Sequence, residues 1–197
     1  MSLIALPSGF CPNAFSLRLH TTQRMFTPPF GGSEQVIDLL NDRWLLSLSL
    51  PNRTFAQAAA VEAFIAALRG MTNTVALYHW VRKVPRGTMR GTPIVNPAAA
   101  GTDVIMIGVD TAGETLLAGD LIGIGGMLLM VAEDTVENGL GGLPVKLVNK
   151  LRRDLAFGEP VVWDRPSAIF RLASPSAVQF IPGYAPEVSF DFVEAIA

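Results

Sequence analysis

The sequence is poor in the residues that most often perform chemistry. Its 197 residues include one cysteine, Cys11, and two histidines, His20 and His79. One cysteine excludes an internal disulfide and a zinc site built from several thiolates. Both histidines fall within predicted strands, where a structural role is commoner than catalysis or metal binding, and the sequence has no G-x-S-x-G nucleophile motif. We therefore expect no metal, no cofactor and no enzymatic activity.

Charged residues are scarce as well. They make up 16% of the chain and leave a net charge of −2, whereas hydrophobic residues make up 50%. Domains that bind nucleic acid usually carry a clustered excess of Lys and Arg, so specific nucleic-acid recognition is not expected. A chain with much apolar surface and few charges favours burial against further subunits as well as in its own core. We expect a homo-oligomer.

Long hydrophobic runs are also missing. The most apolar segment, Leu121–Ala132, contains three glycines and is shorter than the roughly 20 residues that a membrane-spanning helix needs. It predicts a pair of core strands. The first ten residues lack the basic start of a secretory signal and contain Pro7 and Gly9, so neither a signal peptide nor a membrane span is expected.

The sequence centres on a strand, a helix and a second strand between residues 44 and 80. Residues 44–50 alternate apolar and polar side chains, which is the period of a half-buried strand. Thr54 and Gln57 then form a capping-box pattern, and an apolar stripe with helical spacing predicts one packing helix over residues 55–69. Residues 75–80, rich in β-branched and aromatic side chains, predict the return strand.

Other segments alternate in the same way. Phe15–Thr21 predicts the first clear strand, and Ala168–Ala173 and Glu187–Glu194 predict two more near the end of the chain. Residues 34–50 are too long for one flat strand. Because Asn41-Asp42 lies near their middle, we predict two strands joined as a hairpin.

The sequence changes after Trp80, where basic residues alternate with proline and glycine. Arg82, Lys83, Arg86 and Arg90 lie within nine residues. A solvated linker between domains is the first interpretation, and an exposed basic loop that contacts a neighbouring subunit or a phosphate is the second.

Short apolar segments separated by glycine-rich turns follow this loop. The turn Gly123–Gly126 has half of a nucleotide-loop pattern, but no predicted helix follows it, so a hairpin turn explains the glycines better. Regular short strands of this kind predict a small all-β barrel or sandwich. The predicted strands are Val104–Val109, Leu121–Ile124, Met127–Val131, Val145–Val148 and Glu159–Trp163.

These segments together predict a mainly β fold with one packing helix and two domains. Because a lone two-stranded hairpin is barely stable, the last strands need a sheet to join. We therefore predict that residues 1–84 and 167–197 form one discontinuous domain, with residues 85–166 inserted as a β module. The two ends of an inserted module lie close together, as this arrangement requires.

Two groups of side chains leave other functions open. The acidic residues Asp120, Glu133, Asp134 and Glu137 fit a glycosidase pair or a calcium site, although carboxylates in hairpin turns are commonplace and the spacing is not that of an EF-hand. Aromatic side chains fit a sugar-stacking platform, although aromatics of half-buried strands are more often part of a core. The aromatic residues are Trp80, Trp163, Phe170 and Phe180.

Several short motifs, in order along residues 30–197, resemble tail and baseplate structural proteins of tailed bacteriophages, and are similar to distal tail proteins in particular. Each motif alone is weak, and their order and spacing carry the resemblance. The motifs are Gly32–Gln35, Trp44 with Leu48–Pro51, Ala67–Gly70, Arg86–Thr88, Gly91–Asn96, Ala118–Ile122 and Phe170–Ser174.

The resemblance implies a virion protein of the phage tail, assembled in the host cytoplasm. It implies a first domain with a tail-tube-like split β-barrel or sandwich fold, and a hexameric ring around the DNA channel at the distal end of the tail. Neighbouring tail tube, baseplate or fibre proteins would dock on this ring. One departure is that many distal tail proteins append their second β domain at the C-terminus, whereas here an insertion is predicted.

On this reading the large aromatic and basic side chains are candidate interface residues. A carbohydrate-binding module in the inserted domain, used for attachment to the host surface, is the alternative. In that alternative Trp163 and nearby acidic residues would hold the sugar. The candidate interface residues are Trp44, Phe64, Trp80, Arg82, Arg86, Arg90 and Trp163.

Overall fold

The computed structural model describes residues 2–27, 31–32, 34–38 and 42–196. Strands account for 41% of the chain, with one helix and several antiparallel sheets, which confirms the mainly β prediction. None of the sheets formed by the described residues closes into a barrel. A barrel or a sandwich was predicted for the inserted module. The barrel is wrong, because the strands of the module belong to short open sheets.

The described residues form fifteen strands and one helix. In chain order they are β1 Ala14–His20, β2 Gln23–Phe26, β3 Gln35–Asp38, β4 Arg43–Leu50, α1 Phe55–Leu68, β5 Val75–Tyr78, β6 Ile94–Val95, β7 Val104–Gly108, β8 Thr115–Leu116, β9 Leu121–Ile124, β10 Met127–Met130, β11 Thr135–Val136, β12 Gly142–Lys146, β13 Val161–Val162, β14 Ser167–Leu172 and β15 Val188–Glu194.

The chain divides into two compact units, and both are discontinuous. Unit 1 contains Met1–Arg18, Trp44–Val81 and Ser167–Ala197. Unit 2 contains Leu19–Arg43 and Arg82–Pro166. The long excursion from unit 1 begins three residues before the predicted position and ends where it was predicted.

Residues 19–43 are placed differently from the prediction, which put them in the first domain. In this segment β2 pairs with β3, so the two strands form a sheet of their own. Arg152 also donates a hydrogen bond to the carbonyl oxygen of Asp42 at 3.1 Å, and both residues belong to unit 2. For the same reason the predicted hairpin of residues 34–50 is wrong. β3 and β4 are separate strands, but the partner of β3 is β2, and Asn41 lies outside the described residues.

Unit 1 is built on a five-stranded sheet with the order β1-β4-β15-β14-β5. The predicted alternation of β4 is confirmed, since Leu46, Leu48 and Leu50 are all buried. In the antiparallel register of β4 and β15, Leu48 lies opposite Phe190, which is buried too. Side chains on one face of this sheet therefore form the core of the unit.

The helix α1 begins and ends close to the predicted positions. Gln57 Oε1 accepts a hydrogen bond from the backbone N–H of Thr54 at 3.3 Å, as the capping-box pattern predicted. The helix ends at Leu68 because Arg69 already adopts a left-handed conformation, with φ of 49°. The stripe Val61, Phe64, Ile65 and Leu68 is buried, as its spacing predicted. No helix in the described ranges is long and apolar enough to cross a membrane.

Unit 2 contains two three-stranded sheets, β10-β9-β13 and β12-β7-β6, and two two-stranded sheets, β11-β8 and β2-β3. The two three-stranded sheets contribute buried side chains to one apolar core, including Ile107, Ile122 and Val145. The turn between β9 and β10 consists of Gly125 and Gly126, both with positive φ. Two positive φ angles are the requirement of a tight hairpin turn, so the hairpin interpretation of these glycines is confirmed.

Candidate functional site

One buried carboxylate organises the basic loop of residues 82–90. Asp120 is 3% exposed, and its oxygens accept backbone hydrogen bonds from Arg86 at 2.8 Å, Gly87 at 3.0 Å and Leu117 at 2.9 Å. The guanidinium of Arg86 lies 3.6 Å from the same carboxylate. A buried carboxylate is tolerated only with such partners, so Asp120 fixes the path of the loop within unit 2.

The arginines of this loop are bound to backbone carbonyl groups. Arg82 donates to the carbonyl of Gly119 at 2.7 Å, and Arg90 donates to the carbonyls of Gly87 at 2.9 Å and Met89 at 2.6 Å. The interpretation as a solvated linker is therefore wrong for these residues. Arg82 and Arg90 are half-buried, and the side chain of Arg86 is 63% exposed. Of these three candidate interface arginines, Arg86 is the one on the surface.

Trp163 is held by the same loop. Its indole Nε1 donates to the carbonyl of Gly91 at 3.0 Å, and the guanidinium of Arg90 lies over its ring at 5.1 Å from the centroid. A cation over an aromatic ring in this geometry stabilises the contact. One face of the indole and its N–H are thus already engaged, whereas a sugar-stacking platform presents a free aromatic face to solvent.

The carboxylates considered as a glycosidase pair or calcium site hold turns and strands together. Glu137 is 8% exposed and accepts backbone hydrogen bonds from Gly141 at 2.6 Å and Gly113 at 3.1 Å. These bonds, led by that of Gly113, hold the pKa of Glu137 below its usual range. Asp134 accepts the N–H of Ala118 at 2.7 Å.

Glu133 completes this acidic set by pairing with a lysine. It lies 2.5 Å from Nζ of Lys146, and this bond raises the pKa of Lys146. In the part of the chain that the structure describes, no three acidic, histidine or cysteine side chains come together as metal ligands. The acidic residues therefore serve the geometry of the turns.

Two candidate interface residues of unit 1 lie in its core. Trp44 is 1% exposed and Phe64 is 5% exposed, because Trp44 lies on the buried face of β4 and Phe64 on the buried stripe of α1. Both side chains therefore lie in the interior and cannot contact a neighbouring subunit. Phe170, considered for sugar stacking, is fully buried as well.

Trp80 is the half-buried member of an aromatic cluster in unit 1. Its ring stacks on Tyr78 at 4.8 Å between centroids and contacts Phe15 at 5.6 Å and Phe10 at 6.1 Å. Aromatic pairs at these distances add to the stability gained from burial. Trp80 is thus fixed by three aromatic neighbours and stays half-exposed.

The strands β2 and β3 carry an exposed apolar surface that is absent from the candidate interface residues above. We call these two strands the apolar ribbon. Met25 is 65% exposed, Phe26 63%, Val36 57% and Ile37 47%. In the antiparallel register Met25 lies opposite Val36. The signal was present in the sequence as two apolar pairs, Met25-Phe26 and Val36-Ile37, each directly preceded by two polar residues.

A groove of about 310 Å³ lies in unit 1 along α1. We call it the α1 groove. Its walls are formed by α1 on one side and by the segment 175–178 on the other, and its exposed surface is mainly apolar. Its lining includes Glu62, Ile65, Ala66, Pro175, Ala177 and Val178.

The geometry therefore offers two kinds of feature. One is a set of charged side chains that hold the loops of unit 2, and the other is apolar surface available for contact with another molecule. Comparison with known proteins finds no family model that matches the chain and no match among curated proteins.

Proposed function

We propose that this protein is a structural subunit of a bacteriophage tail tip or baseplate. It would form a homo-oligomeric ring at the distal end of the tail around the DNA channel, and neighbouring tail tube, baseplate or fibre proteins would dock on it. The ring and its position come from the resemblance described above. The observation that carries the assembly part of the proposal is the apolar ribbon.

The apolar ribbon exposes surface that a partner could cover. A two-stranded ribbon alone is only marginally stable in water, and this ribbon exposes two apolar side chains on each strand. Monomeric soluble proteins rarely expose contiguous apolar patches larger than a few hundred Å², and such patches commonly mark a protein interface. An assembling subunit accounts for the ribbon, since contact with a neighbour would cover it.

The sheet of unit 1 supports the same proposal. β1 and β5 are its outermost strands, and edge strands present backbone groups that can pair with another chain. The N-terminal segment covers one position next to β5, where Leu3 pairs in parallel with Thr74. Head-to-tail contacts between copies close into a ring when the rotation between them permits it.

The charged side chains of unit 2 are consistent with a protein whose function is its shape. Backbone N–H groups donate hydrogen bonds to the carboxylates of Asp120, Glu137 and Asp134. A module whose loops are held in this way suits a docking face, because the loops lose their conformational entropy on folding and not on binding.

Electron microscopy of tail particles tests the proposal. An affinity-tagged copy of the chain is produced in cells that assemble the tails, and the purified particles are labelled through the tag. We expect label at the distal end of the tail. Purified particles that lack the chain, or label spread evenly along the tube, would overturn the proposal.

A further inference from the structure

We propose that the apolar ribbon of one copy binds in the α1 groove of a second copy. The inference rests on the proposed function in one respect, namely that copies of the chain associate. It adds which surfaces meet, namely a ribbon of unit 2 and a groove of unit 1.

The register of the ribbon decides which side chains share a face. Arg24 lies opposite Ile37, and Phe26 lies opposite Gln35. Because side chains alternate along a strand, Arg24, Phe26, Gln35 and Ile37 project from one face, whereas Met25 and Val36 project from the other. We call the first of these the arginine face. Both faces carry exposed apolar side chains, so neither is an ordinary solvated face.

The α1 groove has the size and lining to accept the arginine face. A cavity of roughly 150 Å³ lined by apolar side chains admits a benzene-sized ring, and the groove measures about 310 Å³. It therefore has room for the ring of Phe26 and part of Ile37. Ala66 and Ala177 give the lining small apolar side chains, and the buried side chain of Ile65 adds to its apolar surface.

Charge favours the same orientation. Glu62 lines the groove and is exposed on α1, and Arg24 is exposed on the ribbon. Within the described residues neither side chain has a hydrogen bond or an ion pair. An Arg24 to Glu62 contact between copies would add little affinity, but it would select this orientation over the reverse one.

A ribbon that fits a groove elsewhere on the same chain can make a heterologous contact, in which each copy presents its ribbon to one neighbour and its groove to another. Such a contact uses two different surfaces and propagates from copy to copy. It closes into a ring when the rotation between successive copies permits it.

Disulfide trapping tests the contact in the full-length chain. Cys11 is first replaced by Ser, so that no native thiol interferes. One preparation then carries Gln35→Cys on the arginine face, and a second carries Ala66→Cys in the groove. The two are mixed and oxidised with diamide. We expect a covalent pair joining residues 35 and 66 in the mixture, because a disulfide forms only when the two Cα atoms approach within about 7 Å.

Two matched variants control for random collision. Gln23→Cys places the thiol on the other face of the same ribbon, and Ala60→Cys places it on α1 outside the groove lining. We expect each control to trap at least tenfold less product than the proposed pair. Equal trapping by the controls would overturn the inference.

A charge-reversal cycle gives a second readout that does not depend on cysteine. Arg24→Glu and Glu62→Arg should each weaken association by about two- to five-fold, the range of an exposed ion pair, and the double variant should recover it. Independent effects of the two changes would contradict the contact. If the chain forms multimers but residues 35 and 66 do not link, the ribbon–groove contact is wrong and assembly stands. If no multimer forms at all, both proposals fail.

Discussion

The carboxylate of Asp120 accepts the backbone N–H of Gly87 at 3.0 Å, in a place where only glycine fits. A Cβ atom added to Gly87 would lie 2.2 Å from the carbonyl oxygen of Thr115. The two residues are 33 positions apart in the chain. Their contact closes the basic loop against β8 and explains why a segment rich in arginine and glycine is ordered.

We predict that Asp120→Asn destabilises unit 2. The carboxylate accepts three backbone hydrogen bonds, whereas a carboxamide has one accepting oxygen and turns an N–H₂ group toward backbone donors. Buried donors left without a partner cost about 1–3 kcal/mol each, so we expect the free energy of unfolding to fall by about 2–4 kcal/mol. Urea titration followed by tryptophan fluorescence measures it.

Asp164→Asn is the matched control for this change. Asp164 is exposed, and its substitution should alter the free energy of unfolding by no more than about 0.5 kcal/mol. If the two variants unfolded at the same urea concentration, the structural role given to Asp120 would be refuted.

We also predict that Gly87→Ala is more harmful than Gly126→Ala. The alanine methyl at position 87 would overlap backbone atoms of Thr115 and Leu116, which cannot move aside cheaply, so a cost of about 3 kcal/mol or more is expected. At position 126 the space is open and the cost is that of a positive φ of 79°, about 1–2 kcal/mol. Thermal unfolding of both variants measures the difference, and the reverse order would contradict the packing described around Gly87.

Acid should weaken unit 2 through carboxylates whose pKa values are lowered in the folded protein. Backbone and side-chain hydrogen bonds from Thr92 lower the pKa of Asp110, backbone N–H groups lower that of Glu137, and the guanidinium of Arg153 lowers that of Glu159. Because the folded state then binds fewer protons than the unfolded state, these groups contribute their full stability above the ordinary carboxyl pKa values of 3.8 and 4.5.

This contribution is lost as the pH falls through the lowered pKa values. Urea titrations at a series of pH values from about 6 to about 3 should therefore show a falling midpoint. Glu137→Gln removes one of the titrating groups, and we expect a shallower fall in that variant. A slope identical to that of the unchanged protein would show that Glu137 does not contribute.

Substitutions on the apolar ribbon should affect assembly and leave folding intact. Phe26 is 63% exposed, so Phe26→Ser removes little buried surface from the monomer, and the unfolding temperature of dissociated protein should hardly change. Sedimentation velocity should show a shift toward smaller species, because the apolar contact between copies is lost. Phe157→Ser is the control, since Phe157 is 70% exposed and lies outside the ribbon. Equal dissociation of both variants would exclude a specific role for the ribbon.

Elements with strong local patterns could be predicted from the sequence. The alternation of β4 and the stripe of α1 placed both elements within about two residues, because each side chain reports directly on which face is buried. The turn at Gly125 and Gly126 could be predicted equally well, because a tight hairpin turn needs positive φ angles, which few residues other than glycine adopt. β14 and β15 join the five-stranded sheet of unit 1, as expected from the need of a lone hairpin for a sheet.

Features that depend on distant partners could not be predicted. Trp44 and Phe64 resemble interface residues in the sequence, because whether each side chain is buried depends on which distant residues pack against β4 and α1. The arginines of residues 82–90 resemble a solvated linker until Asp120 and the carbonyl of Gly119 are brought beside them by the fold. The pairing of β3 with β2 depends on long-range contacts, which alternation alone does not encode.

We propose that this chain works by association with its own copies. Single-particle electron microscopy of the purified, unmodified protein tests it most directly. We predict closed rings in which identical copies meet head-to-tail, with the arginine face of each ribbon covered by its neighbour. Isolated copies that leave the ribbon exposed to solvent, even at high protein concentration, would contradict the account.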